Sequence, residues 1–106
     1  MTDTSASTFS IHFLDATGGA AGGRLADVEL HFSGGLLDGL RLMGFAVWQR
    51  RGGDGLNVTF PARQYVVNGE RRSFALLRPV TSPTAQDLIR AAILDAWRAS
   101  EFAEAV

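Results

Sequence analysis

The residues of this chain best equipped to do chemistry are its arginines, and six of them are crowded together: Arg50, Arg51, Arg63, Arg71, Arg72 and Arg78. A guanidinium fork matches two phosphate oxygens at once, and cations spread along one surface release the counterions of a polyanion. The cluster points to phosphate contacts, with DNA or RNA as the partner. Tyr65 and Trp48 add rings on which unpaired bases can stack. A plainer account competes with this one. Turns carry charge in any globular fold, and arginine is the only cation the chain uses, since all ten basic residues are arginine.

Charge is distributed more tellingly than its sum of −1 suggests. Residues 1–40 carry a net −4, residues 41–78 a net +5, and residues 79–106 a net −2. A basic middle third lies between acidic flanks, in which Asp27, Glu29 and Asp38 would repel a polyanion if they shared its face. Other constellations offer less. His12, His31 and Glu29 fall on one face of two predicted strands, and two imidazoles with a carboxylate can hold a divalent metal. Their spacing is no recognised ligand motif, so outward-facing, solvated histidines are expected and no metal is assigned. The glycine-rich segment 18–23 joins two strands rather than a strand and a helix, which removes the context of a phosphate-cradling loop. With no cysteine and no lysine, and no serine in a nucleophile elbow, the usual nucleophiles are few. No catalytic residue and no cofactor are assigned, and a non-enzymatic protein is expected.

The elements that must position the arginines follow from periodicity. Phe9, Ile11 and Phe13 alternate with Thr8, Ser10 and His12, and Ala26, Val28, Leu30 and Phe32 alternate with Asp27, Glu29 and His31. Two half-buried strands are predicted, paired as a hairpin. Leu36 to Gln49 is an apolar-rich run that reads as a third strand covered on both faces, with bulges or bends at Gly39 and Gly44. Leu56, Val58 and Phe60 make a fourth strand that Pro61 ends. Asn68-Gly69 is a strong hairpin signal between Tyr65-Val66-Val67 and the run from Glu70 to Leu77, because a type I′ turn needs positive φ at both positions. Ser82-Pro83 opens a helix whose apolar stripe includes Ala85, Leu88, Ile89, Ala92, Ile93, Ala96 and Trp97. Trp97 is its expected anchor on the sheet. Apolar residues Met43, Phe45 and Val47 are expected on the uncovered side, as a two-fold interface.

Several of these segments, in the same order, resemble the stage V sporulation protein G (SpoVG) family. Leu36-Leu37-Asp38-Gly39-Leu40-Arg41-Leu42 is similar to a family strand with arginine between aliphatics, and Gly55-Leu56-Asn57-Val58-Thr59-Phe60-Pro61 to its Gly-Leu-Phe-Val-x-Met-Pro. Arg63 falls where the family carries a lysine, Asn68-Gly69-Glu70 matches its Asp-Gly-Glu turn, and Arg78-Pro79-Val80 resembles its His-Pro-Ile. The helical run from Ile89 to Trp97 resembles Ile-Gln-Asp-Ala-Val-Leu-Asn-Glu-Tyr. The resemblance spans roughly residues 24–98. It implies a curled antiparallel sheet with a C-terminal helix, a homodimer, and DNA or RNA binding in gene regulation. Gln64, Gln86 and Leu88 stand where the family has basic residues, and residues 44–54 are an apparent insertion.

The expected fold is therefore α+β: a curled antiparallel sheet of about five strands with one C-terminal helix packed on it. Residues 1–7 are expected to be a disordered polar tail, residues 8–99 one SpoVG-like domain, and residues 100–106 a frayed end. No apolar run approaches the ~20 residues of a membrane helix, and no targeting segment is visible, so a cytoplasmic protein without membrane contact is expected. Its alternative function is a dimeric protein-interaction module that has lost nucleic-acid binding.

Overall fold

A computed structural model describes residues 8–16, 21–50 and 55–100. The fold is α+β, with two antiparallel sheets and one C-terminal helix. Strands β1 (Thr8–Asp15), β2 (Arg24–Ser33), β3 (Arg41–Gln49) and β4 (Leu56–Thr59) form a four-stranded meander in the order β1-β2-β3-β4. Strands β5 (Ala62–Val67) and β6 (Glu70–Ala75) pair, among the described residues, only with each other, and helix α1 (Thr84–Arg98) follows. The expected sheet of about five strands is thus six strands in two sheets. The two predicted N-terminal strands do form a hairpin, in register from Thr8↔Ser33 to Asp15↔Ala26.

Alternation decides which face of the meander is covered. Ile11, Leu30 and Leu42 share one face with Phe13, Val28 and Phe45, and with Ala26, Val47 and Val58. On that face α1 lies against β1 and β4. The core consists of Ala26, Val28, Leu30, Phe45, Val47, Val58, Ile93 and Trp97. Trp97 is 3 % exposed and meets Phe13 edge-on with ring centres 5.3 Å apart, as expected for the helix's anchor. The buried line of the helix runs through Ile89, Ile93 and Trp97 at four-residue spacing; Leu88, on its flank, is exposed. A sheet covers only an arc of a helix, so a wide apolar stripe leaves its margin in solvent.

Three further expectations are corrected. The third strand begins at Arg41, not Leu36, because residues 34–39 make a tight turn. Gly34, Gly35 and Gly39 all take positive φ, and the Gly34 N–H donates to Asp38 Oδ1 at 2.7 Å. Local turn chemistry here overrides an apolar composition and leaves Leu36 in solvent. Phe45 and Val47 are fully buried under the helix, so of the three residues expected at a two-fold interface only Met43 is exposed. Helix α1 is assigned from Thr84, one residue inside Pro83, while Ser82 Oγ accepts the Thr84 N–H at 3.3 Å.

One close approach sets where the second sheet leaves the first. Val28 pairs with Phe45 and Leu30 with Leu42, so β3 carries one residue more than β2 across that interval: a bulge at Met43 and Gly44. Gly44 has φ +110°, and a Cβ there would stand 2.8 Å from Pro61 Cβ. Pro61 is buried, Phe60 packs on Phe45 with ring centres 5.1 Å apart, and the Leu76 N–H donates to Pro61 O at 2.8 Å. Proline lacks the N–H that would continue a ladder, so the chain turns out of the meander there. The β5–β6 hairpin projects from that point as an arm. Its tip has the predicted chemistry, with positive φ at both Asn68 and Gly69.

Candidate nucleic-acid interface

The arm is where the arginines are best presented. Every residue of β5 and all of β6 except Ala75 are exposed. The register pairs Arg63 with Phe74, Tyr65 with Arg72, and Val67 with Glu70. Cross-strand partners share a face and faces alternate along a strand. Arg63, Tyr65, Arg72 and Phe74 therefore lie on one face of the arm, with Val67 and Glu70 toward the tip. Arg71 lies on the opposite face with Gln64, Val66 and Ser73. Tyr65 and Phe74 meet edge-on, ring centres 5.7 Å apart, each about two-fifths exposed. Phe74 is the partner that inspection of the sequence missed. Only the register fixed by the Asn68-Gly69 turn brings it beside Tyr65.

The remaining sequence-predicted arginines are placed differently. Arg78 lies in the segment between arm and helix and lines a groove of about 230 Å³ with Phe60, Leu77, Pro79, Ala85, Gln86 and Ile89. Arg50 follows β3, at the end of β4 opposite the arm's root, and its Nε donates to Leu56 O at 3.3 Å. Arg51 lies outside the described residues. Three of the six arginines are thus on the arm, two on one face and one on the other.

Ion pairing separates these arginines from the rest. Arg24 bonds Asp27 at 2.7 Å, Arg41 bonds Glu29 at 3.3 Å, Arg90 bonds Asp87 at 2.9 Å and Arg98 lies 3.6 Å from Asp95. Of the six arginines singled out in the sequence, only Arg72 joins them among the described residues, 3.0 Å from Glu70. Arg50, Arg63, Arg71 and Arg78 have no carboxylate partner among the described residues. Of the three acids expected to repel a polyanion, Asp27 and Glu29 have arginine partners, whereas Asp38 accepts the Gly34 N–H.

The histidines are not merely solvated. His12 and His31 stack across the β1–β2 ladder with ring centres 3.7 Å apart and planes 20° from parallel. His31 Nε2 lies 2.9 Å from Glu29 Oε1, and His12 Nε2 lies 2.9 Å from Ser10 Oγ. Glu29 is only 8 % exposed although it points away from the helix. The His31 hydrogen bond, aided by the Arg41 charge, holds its carboxyl below the ordinary glutamate range against the opposing effect of burial. Among the described residues no three His, Cys, Asp or Glu are grouped to hold a metal ion. Trp48, expected to be free for stacking, donates its Nε1–H to Thr59 Oγ1 at 2.8 Å and lies under Arg24, 5.4 Å from the ring centre. One face of that ring is already occupied.

Among the described residues, no helix is long and apolar enough to cross a membrane. No family model, curated protein or solved structure matches the chain.

Proposed function

We propose that this protein is a small, non-enzymatic, nucleic-acid-binding regulator, resembling the SpoVG family, that contacts DNA or RNA phosphates through Arg63, Arg71, Arg72 and Arg78. The observation that carries this function is the contrast in ion pairing. Arg24, Arg41, Arg90 and Arg98 are matched by carboxylates, while Arg63 and Arg71 on the arm and Arg78 after it are exposed and have no carboxylate partner among the described residues. Unmatched cations on a projecting ribbon attract a polyanion at little desolvation cost. Arg50, at the far end of β4, adds to the positive field rather than to the arm's own contact surface.

A salt titration tests this. The logarithm of affinity for a labelled oligonucleotide falls linearly with the logarithm of salt concentration, with a slope set by the phosphates contacted. Replacing both Arg71 and Arg72 with alanine weakens binding across sequences and flattens that slope by about 1.4 on single strands or about 1.8 on duplex. Failure to retain any oligonucleotide at low salt removes the proposal.

One observation favours a second function, a dimeric interaction module. The arm is only two strands, its outer edges are unpaired within the described chain, and Val66 and Leu76 are exposed. A two-stranded ribbon is marginal by itself, and a second copy can supply the missing strands. Self-association without polyanion binding identifies this module.

A further inference from the structure

Resting on the nucleic-acid function proposed above, we infer that the arm binds unpaired nucleotides rather than duplex, with Tyr65 and Phe74 as the stacking platform and Arg63 and Arg72 as its phosphate clamps. Four side chains form this surface, and the register orders them. Arg63 stands across from Phe74, and Arg72 across from Tyr65, so each ring has an arginine as its cross-strand neighbour on the same face. The two pairs follow each other at a two-residue step, about 7 Å along the strand. Rings and cations therefore alternate diagonally over the face, as a chain of alternating bases and phosphates requires.

The rings' geometry leaves them usable. Tyr65 and Phe74 touch at 62° between planes, so the edge of one meets the face of the other and their remaining faces are not consumed by the pair. Both are substantially exposed, and among the described residues no other aromatic contact engages either ring. Duplex cannot use such a platform, because its base faces are already stacked within the helix; it offers phosphates alone. Unpaired bases present their faces to any ring of suitable exposure, without regard to sequence. Charge identifies the occupant as an anion. Residues 62–75 carry three arginines and one acid, and that acid, Glu70, lies at the tip, where it bonds Arg72.

The test compares binding of a labelled fifteen-nucleotide oligo(dT), a structureless pyrimidine strand, with that of a duplex of the same length, by fluorescence anisotropy at fixed low salt. Oligo(dT) is expected to bind more tightly than the duplex. Tyr65→Leu and Phe74→Leu keep an apolar side chain in the ribbon while removing the ring. Each is expected to lower oligo(dT) affinity roughly five- to hundredfold and to leave duplex affinity within twofold. Circular dichroism and a thermal melt on the same samples verify that the variants fold. Ser73→Leu, on the opposite face, adds apolar bulk without touching the platform and is expected to leave oligo(dT) affinity unchanged. Equal affinity for strand and duplex, with both ring variants silent, overturns the inference while the arginine-based function stands. Loss of self-association in the ring variants, with oligo(dT) affinity retained, also overturns it and assigns this face to a second copy of the chain. Absence of binding to either probe removes the underlying function and the inference together.

Discussion

Gly44 shows how much of the architecture hangs on single residues. Its φ of +110° is costly for any residue with a side chain, and the space a Cβ would need is taken by Pro61. Gly44→Ala is expected to lower stability by about 1–3 kcal/mol, read from denaturant midpoints, through backbone strain and overpacking at the root of the arm. An unchanged midpoint would mean that the bulge and Pro61 separate without cost. Glu29 makes a different prediction. Its folded carboxyl titrates below the ordinary glutamate value of about 4.3, so the unfolded chain binds the proton first as the solution is acidified. The carboxylate's contribution is complete well above that value and is lost as pH falls through the folded one. The difference in melting temperature between wild type and Glu29→Gln should therefore be largest at pH 6 and shrink toward pH 3. A difference independent of pH would show that the carboxylate's bonds to His31 and Arg41 add nothing in solution.

At the scale of elements, the helix and the arm are held in opposite ways. Helix α1 is fixed by burial: Ile93 and Trp97 are in the core, while Leu88 is two-thirds exposed. Trp97→Ala should cost about 3–5 kcal/mol in chemical denaturation, as for a core aromatic. Leu88→Ala should stay within about 0.5 kcal/mol, as for a surface change. Comparable losses at the two positions would mean that the helix is rotated on the sheet. The arm is fixed by its turn, by cross-strand pairs and by its root at Pro61, with almost nothing buried behind it. Much of this was legible in the residues. Alternation at Thr8 to Phe13 and at Ala26 to Phe32 predicted the first hairpin and its faces, and Asn68-Gly69 predicted the arm's tip. Leu36 to Leu40 misled, because apolar composition was weighed above three glycines and an aspartate able to close a turn.

For the whole molecule, the arm's edges bear on assembly. The meander covers one face with the helix, and the arm projects with unpaired edges and exposed apolar side chains, including Val66. Pairing two arms edge to edge satisfies backbone groups that neither ribbon satisfies alone, and it leaves the face bearing Arg63 and Tyr65 open. A dimer is therefore the expected state, measured by light scattering at micromolar concentration, and it would double the number of arm arginines available to one polyanion. A monomer at that concentration would sink the two-fold arrangement while leaving the salt dependence of nucleic-acid binding to be measured on single arms.

Sequence alone determined the α+β class, the order of most elements, the anchor Trp97 and the basic charge of the middle third. These depend on periodicity, turn chemistry and charge counts, which act over a few neighbouring residues. Tertiary structure decided that the C-terminal hairpin stands apart from the sheet, because that depends on a contact between Gly44 and Pro61. It also decided which arginines remain unpaired, since Arg41 finds Glu29 only across the β2–β3 ladder. The pairing of Tyr65 with Phe74 and the stacking of His12 on His31 are likewise properties of strand register, where one residue of slip would turn every side chain to the other face.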